Sequence, residues 1–101
     1  MRRFCAILVL NVNFTPQARD DLTAIRDWIA EDDPRAADNV VARIVQTAMM
    51  FGQFPMLGRA GMVEDTREFS VVGLPYLIVY RIASETDVDV LTVLHTRRKY
   101  P

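Results

Sequence analysis

A chain of 101 residues that is 50% hydrophobic has enough apolar side chains for one core and no room for a second domain, so residues 1–101 read as a single unit. The formal net charge of -1 hides a segregation, because the acids gather in residues 20–38 and 64–89 while the chain ends on Arg97, Arg98 and Lys99. The lone Cys5 excludes an intrachain disulfide, no Cys/His spacing suits zinc, and no run approaches the ~20 apolar residues of a membrane-spanning helix. The expectation is a cytoplasmic protein, outside the bilayer, that uses neither metal nor cofactor.

Met1-Arg2-Arg3 followed by apolar residues 4–10 has the look of a signal peptide. The run is short, however, no small-residue cleavage site follows it, and it passes into Asn11-Val12-Asn13-Phe14, which alternates as a strand does. The reading is a first strand, running out of the apolar stretch into Asn11–Phe14. Thr15-Pro16 then starts a helix: the threonine hydroxyl suits free N–H groups, and proline's fixed φ and missing donor suit the first helical position. Ala18, Leu22, Ile25 and Ile29 recur at helical spacing, which makes the helix amphipathic. Asp33-Pro34 repeats the start signal. Ala37, Val40, Val41, Ile44, Ala48 and Phe51 form a second stripe that stops near Gly52 and Pro55, and the short connection implies an antiparallel helical hairpin.

Residues 54–66 read as a loop around Pro55, Gly58 and Gly61. Residues 67–72, 76–82 and 88–94 are rich in β-branched and aromatic side chains and are separated by Gly73-Leu74-Pro75 and by polar residues 84–87, so three strands in a meander are expected. The run 76–80 is apolar at every position, as suits a central strand covered on both faces. The fold class is therefore α+β, ordered β-α-α-β-β-β, with the helical hairpin packed on a small, mainly antiparallel sheet.

The residues at the joints carry a more specific signal. Phe14-Thr15-Pro16 with Ala18 and Asp21-Leu22, Trp28-Ile29-Ala30, Asp33-Pro34-Arg35-Ala36-Ala37, Phe54-Pro55-Met56-Leu57-Gly58-Arg59, Thr66-Arg67-Glu68, Pro75-Tyr76 through Val79-Tyr80-Arg81, and Val93-Leu94-His95 with Arg97 and Arg98 occur in order. Together they resemble the RelE/ParE toxin superfamily over residues 12–101, with details that favour ParE. Residues 1–8 exceed the usual start of such proteins, as an extension or a misplaced start codon would. The resemblance implies a plasmid-stabilising toxin held silent, in a hetero-oligomer, by a cognate ParD-like antitoxin, a small DNA-binding protein through which alone the toxin meets DNA. It also implies one of two actions: inhibition of DNA gyrase, as expected of ParE-type members, or cleavage of messenger RNA on the ribosome, as in RelE-type members. An inactive relative kept for autoregulation is a third reading.

Metal-free RNA cleavage needs a base for the 2′-OH, an acid for the leaving oxygen and cations for the phosphorane charge. RelE-like enzymes usually place an arginine at the start of the central strand, where this chain has Leu77, and a leucine cannot stabilise that charge. Candidates for a ribonuclease are otherwise His95, Arg81, Arg97 or Arg98, and Tyr100. The simpler reading of His95, at the end of a strand, is a hydrogen-bonded structural residue. For Arg81 it is a salt bridge with Asp89 on the neighbouring strand, or escape to the surface. Candidates for target contact are Arg59, Arg67, Arg97, Arg98, Lys99 and Tyr100, cations and an aromatic suited to an acidic surface. Trp28, Met49 and Met50 are candidates for the antitoxin, although the bulk of Trp28 and of Met49-Met50-Phe51 reads first as core packing.

Overall fold

The computed structural model describes residues 9–97. The elements are β1 (Asn11–Phe14), α1 (Pro16–Ala30), α2 (Pro34–Met49) followed by a 3-10 turn (Met50–Gly52), β2 (Arg59–Ala60), β3 (Arg67–Ser70), β4 (Tyr76–Ile82) and β5 (Asp87–His95). They form one five-stranded sheet in the order β1-β5-β4-β3-β2, antiparallel except for the parallel pair β1 and β5. The α+β class and the helical hairpin on the sheet are as the sequence implies.

Both helix starts follow from their caps. Thr15 Oγ1 accepts from the Ala18 N–H at 3.2 Å, and Asp33 Oδ1 accepts from the N–H groups of Arg35 and Ala36 at 3.1 Å each, with proline in the first turn of both helices. The inner faces then close on β4. Ile44, Ala48 and Phe51 meet Ile78 and Tyr80, and all five are fully buried. The Phe51 ring stacks on Tyr80 with centroids 3.9 Å apart and meets Phe69 edge-on at 5.8 Å.

Four expectations are corrected. Among the described residues the first strand is Asn11–Phe14, with Val9 and Leu10 outside it; the rest of the expected strand, residues 4–8, and any leader or extension lie outside the described residues. The 54–66 segment is not all loop, because Arg59–Ala60 pairs with Arg67 and Glu68 as a two-residue edge strand. The strand starting at Arg67 ends at Ser70, where Val71 N–H turns to the Tyr76 carbonyl at 2.9 Å around Gly73, whose φ of 79° favours glycine. Finally, β4 is the middle strand but is not covered equally: Tyr76, Ile78 and Tyr80 are buried under the helices, Leu77 and Val79 are half-buried, and Arg81 and Ile82 are exposed.

Because β1 is short, the outer edge of β5 beyond Val90 has no strand beside it. Helix α1 takes its place. Thr15 N–H donates to the Val90 carbonyl at 3.1 Å, Thr15 Oγ1 donates to the Leu91 carbonyl at 2.9 Å, and Asp21 Oδ2 accepts from the Val93 N–H at 3.1 Å and from the Thr92 hydroxyl. Removing Asp21 leaves those two donors without their acceptor, and an unsatisfied, partly buried donor costs about 1–3 kcal/mol. Asp21→Ala is therefore expected to lower the unfolding free energy by that amount, read as a lower urea midpoint at unchanged m, while Asp21→Asn, which keeps an acceptor oxygen, loses less. Equal midpoints for Asp21→Ala and the parent chain would remove Asp21 from this role.

Candidate functional site

Three surfaces hold the residues singled out from the sequence. The first lies beside the far half of α1, where Asp21, Ile25 and Trp28 face Tyr76, Val93 and His95 across an open cavity of about 220 Å³. His95 ends β5 opposite Tyr76, which presents its edge to the imidazole at 5.2 Å and 88°, and His95 Nδ1 accepts from the Arg97 N–H at 3.1 Å. That acceptor role leaves the proton of a neutral imidazole on Nε2. Trp28 is 62% exposed, so it is not the core residue its bulk suggests. At 100° per residue it falls about 90° from the stripe of Ala18, Leu22, Ile25 and Ile29.

The second surface is at the opposite end of the sheet. Arg67 and Arg81, with Asp65 and Thr66, line an open cleft of about 570 Å³. Arg67 is held from behind: it donates to the Gly58 carbonyl at 2.6 Å. Arg59 lies across from Glu68 and pairs with it loosely at 3.8 Å. Arg81 sits opposite Asp89 in register but reaches solvent, and the ion pairs among the described residues are those of Arg59 with Glu68 and of Arg26 with Asp38. Below this cleft the Tyr80 hydroxyl accepts from the Gly58 N–H at 2.7 Å and donates to the Pro55 carbonyl at 2.8 Å. Burial pushes the Tyr80 phenol above its ordinary value, against the lowering effects of the Gly58 hydrogen bond and the Arg67 charge.

The third surface begins where α2 ends. Met49 and Met50 are exposed, whereas Phe51 beside them is buried, so only the phenylalanine behaves as core. In an antiparallel hairpin that closes between Ala30 and Pro34, Met49 lies level with the start of α1. By the helix rise, that is roughly 18 Å from Trp28. The three antitoxin candidates therefore belong to two places.

The catalytic candidates also separate. Arg81 projects from the exposed face of β4 and His95 from the helix-covered face of β5, opposite Tyr76, and Tyr76 is roughly 16 Å from Arg81 by the strand rise. Leu77 stands second in β4, paired with Leu94 and Ser70 on the exposed face. Arg97 borders Gly73, Leu74 and Pro75, far along the strand axis from Arg59 and Arg67, so these cations do not form one patch. Arg98, Lys99 and Tyr100 lie outside the described residues. No group of three or more His, Cys, Asp or Glu side chains among the described residues is arranged to hold a metal ion, and no helix there is long and apolar enough to cross a membrane. Asp21 and Tyr80 were not singled out by sequence as positioning residues. The Phe14-Thr15-Pro16 joint, which brings the chain across the edge of β5, was the available signal for Asp21.

Comparison with known proteins gives this geometry a lineage. Residues 12–100 match the ParE toxin of the parDE type II toxin-antitoxin system. Y4kP, a candidate toxin of Sinorhizobium fredii, is 39% identical over 90 residues, covering 89% of this chain and 92% of that protein. Toxin RelE2 of Caulobacter vibrioides is 36% identical over 87 residues, covering 86% of this chain and 96% of its own. Among solved structures, a chain of the chromosomal ParDE system of P. aeruginosa shares the fold at a TM-score of 0.79 and 22% identity, over 88% of this chain and 98% of that one. A chain of the RelBE2 complex of Mycobacterium tuberculosis superposes with a TM-score of 0.63 at 28% identity, over 86% and 98%. The hairpin capped by Thr15 and Asp33 over a β1-β5-β4-β3-β2 sheet is thus that of a type II toxin, and this chain belongs to the ParE toxin family of the RelE/ParE superfamily.

Proposed function

We propose that this toxin inhibits DNA gyrase in the cytoplasm by protein binding, and that a cognate, ParD-like DNA-binding antitoxin neutralises it. The observation that carries the reading is the make-up of the sheet's exposed face. The start of its central strand offers Leu77 packed beside Leu94, and the acid-base and cationic candidates His95 and Arg81 project from opposite faces. A phosphorane requires those groups around one phosphorus. Target contact is assigned to the basic end of the chain, Arg97 with Arg98, Lys99 and Tyr100, and to Arg59 and Arg67 at the other end of the sheet. Trp28 and the Met49–Met50 pair are assigned to the antitoxin.

A second reading, a ribosome-dependent ribonuclease, is favoured by the Arg67 and Arg81 cleft and by the RelE name of the similar Caulobacter protein. Pulse labelling of DNA and protein synthesis just after induction of the toxin alone separates the two. Gyrase inhibition is expected to lower thymidine incorporation first while methionine incorporation persists. Early arrest of protein synthesis would establish the ribonuclease instead, and no effect from accumulated, folded protein would leave only a role in autoregulation. The Arg97, Arg98, Lys99 triple alanine variant is expected to fold and lose most of its toxicity, and full toxicity would remove the basic end from the target contact.

A further inference from the structure

Strand β5 delivers the chain to a particular place. Thr96 N–H donates to the Pro75 carbonyl at 2.8 Å, and the next amide, that of Arg97, returns to His95 Nδ1 at 3.1 Å. His95 projects to the helix-covered face, so this bond turns the backbone toward α1 and toward the cavity of about 220 Å³ that His95 itself lines. The described residues end there, and Arg98-Lys99-Tyr100-Pro101 follow. The walls of the cavity are mainly apolar, from Ala24, Ile25, Trp28, Tyr76 and Val93, with Asp21 and His95 as its polar groups. Such a site suits an aromatic ring with a polar tip. Tyr100 is three residues beyond Arg97, a reach of up to about 10 Å from an amide already bonded to the cavity wall.

Charge points the same way. Asp20, Asp27 and Glu31 are exposed and, at 100° per residue, fall within about 40° of one another, in a stripe beside Ala24 on the cavity side of α1. Arg19 and Arg26 fall on the far side of the helix and are engaged there, Arg19 Nε donating to the Phe14 carbonyl at 3.2 Å and Arg26 pairing with Asp38 at 2.9 Å. The flank that Arg98 and Lys99 would meet is thus acidic, and the cations of α1 are turned away from it.

We propose that residues 98–101 seat themselves on this part of their own chain: Tyr100 enters the cavity beside Trp28, and Arg98 and Lys99 lie along the acidic stripe of α1. Trp28 is 62% exposed, so lining the cavity leaves much of its ring for the antitoxin contact assigned above. The seat works as a latch. While it is closed, the two cations assigned above to the target are screened by the carboxylates of α1 and Tyr100 is covered, so the target must open the latch to reach them. The seat stands on the geometry alone, whereas the latch rests on the target reading above.

The test uses the full chain, in which Trp28 is the single tryptophan and so reports on the cavity by its own fluorescence. Overhauser contacts are expected between the Tyr100 ring and the methyl groups of Ile25 and Val93. Tyr100→Ala is expected to fold, as circular dichroism checks, and to shift the Trp28 emission to the red with stronger quenching by acrylamide, while Tyr100→Phe keeps the parent values. Absence of those contacts, with unchanged Trp28 emission in folded Tyr100→Ala, overturns the seat. Contacts that appear only between differently labelled molecules give the cavity to a second copy and overturn it too. Asp27→Asn with Glu31→Gln, both at exposed positions, is expected to raise the quenching of Trp28 and, on induction of the toxin alone, to bring the arrest of synthesis forward. Unchanged quenching, or an unchanged time course once Trp28 has loosened, overturns the latch. If the parent chain arrests neither DNA nor protein synthesis, the target reading fails and the latch with it, while the fluorescence still decides the seat.

Discussion

Phe51→Ala is expected to destabilise the chain by about 3–5 kcal/mol, the usual cost of removing a fully enclosed phenyl ring. Phe51 has no exposed surface, and it forms the link between the helices and the sheet: it leaves the 3-10 turn after α2, stacks at 3.9 Å on Tyr80 of β4 and meets Phe69 of β3 edge-on. Its loss opens a cavity beside the rings of Tyr80 and Phe69, which are held in the packed core, and it removes the aromatic contacts as well. In a domain of this size that corresponds to a fall of roughly 20 °C in melting temperature, read by circular dichroism on the chain alone. Phe51→Leu refills most of the volume and is expected to cost less. A shift below about 1 kcal/mol for the alanine variant would show that the stack is not a structural centre.

The second large effect comes from adding one methyl group. A Cβ at Gly58 would stand 2.8 Å from the Tyr80 hydroxyl and ring carbon and 2.9 Å from the Glu68 carbonyl. Neither can yield easily, since Tyr80 is fully buried beneath Phe51 and the carbonyl belongs to β3. Gly58→Ala is expected to cost about 3 kcal/mol by forcing the loop outward and breaking the hydrogen bond from Gly58 to Tyr80. The pairing with Tyr80→Phe is diagnostic. Removing the hydroxyl relieves one of the close contacts and abolishes a bond the alanine has already broken, so the double variant is expected to be more stable than the sum of the single losses. Strict additivity in urea unfolding would mean that the two residues do not act on each other.

Helix starts were readable because their causes are local. Thr15 and Asp33 accept from N–H groups only two or three positions further along, and Pro16 and Pro34 need no partner elsewhere. The length and central place of β4 were likewise legible from its unbroken apolar run. The strand Arg59–Ala60 was not, since neither residue carries β-propensity: it exists because Arg67 and Glu68 offer a ladder and Gly61 N–H closes on the Thr66 carbonyl at 2.8 Å. The exposure of Trp28 and Met49 is encoded in the angular position of each on its helix, and that of Met50 in its place in the 3-10 turn, whereas bulk alone points inward. The separation of His95 from Arg81 depends on the register of β4 against β5, which includes an irregularity at Val79/Tyr80 that no pattern in the sequence announces.

The parallel pairing of β1 with β5 joins the start of the described chain to its end, Asn11 to Asp87 and Phe14 to Val90. Strand β1 therefore finds its neighbour only after β5 has been made, and Asp21 waits for Val93 in the same way. Contacts of such long sequence separation slow folding, and a nascent chain that lacks its final segment cannot form them at all. For a protein harmful to the cell that makes it, this order of assembly sets a timetable: the sheet stays incomplete until β5 has been made, and a product truncated before β5 lacks the strand on which both β1 and the first turns of α1 depend.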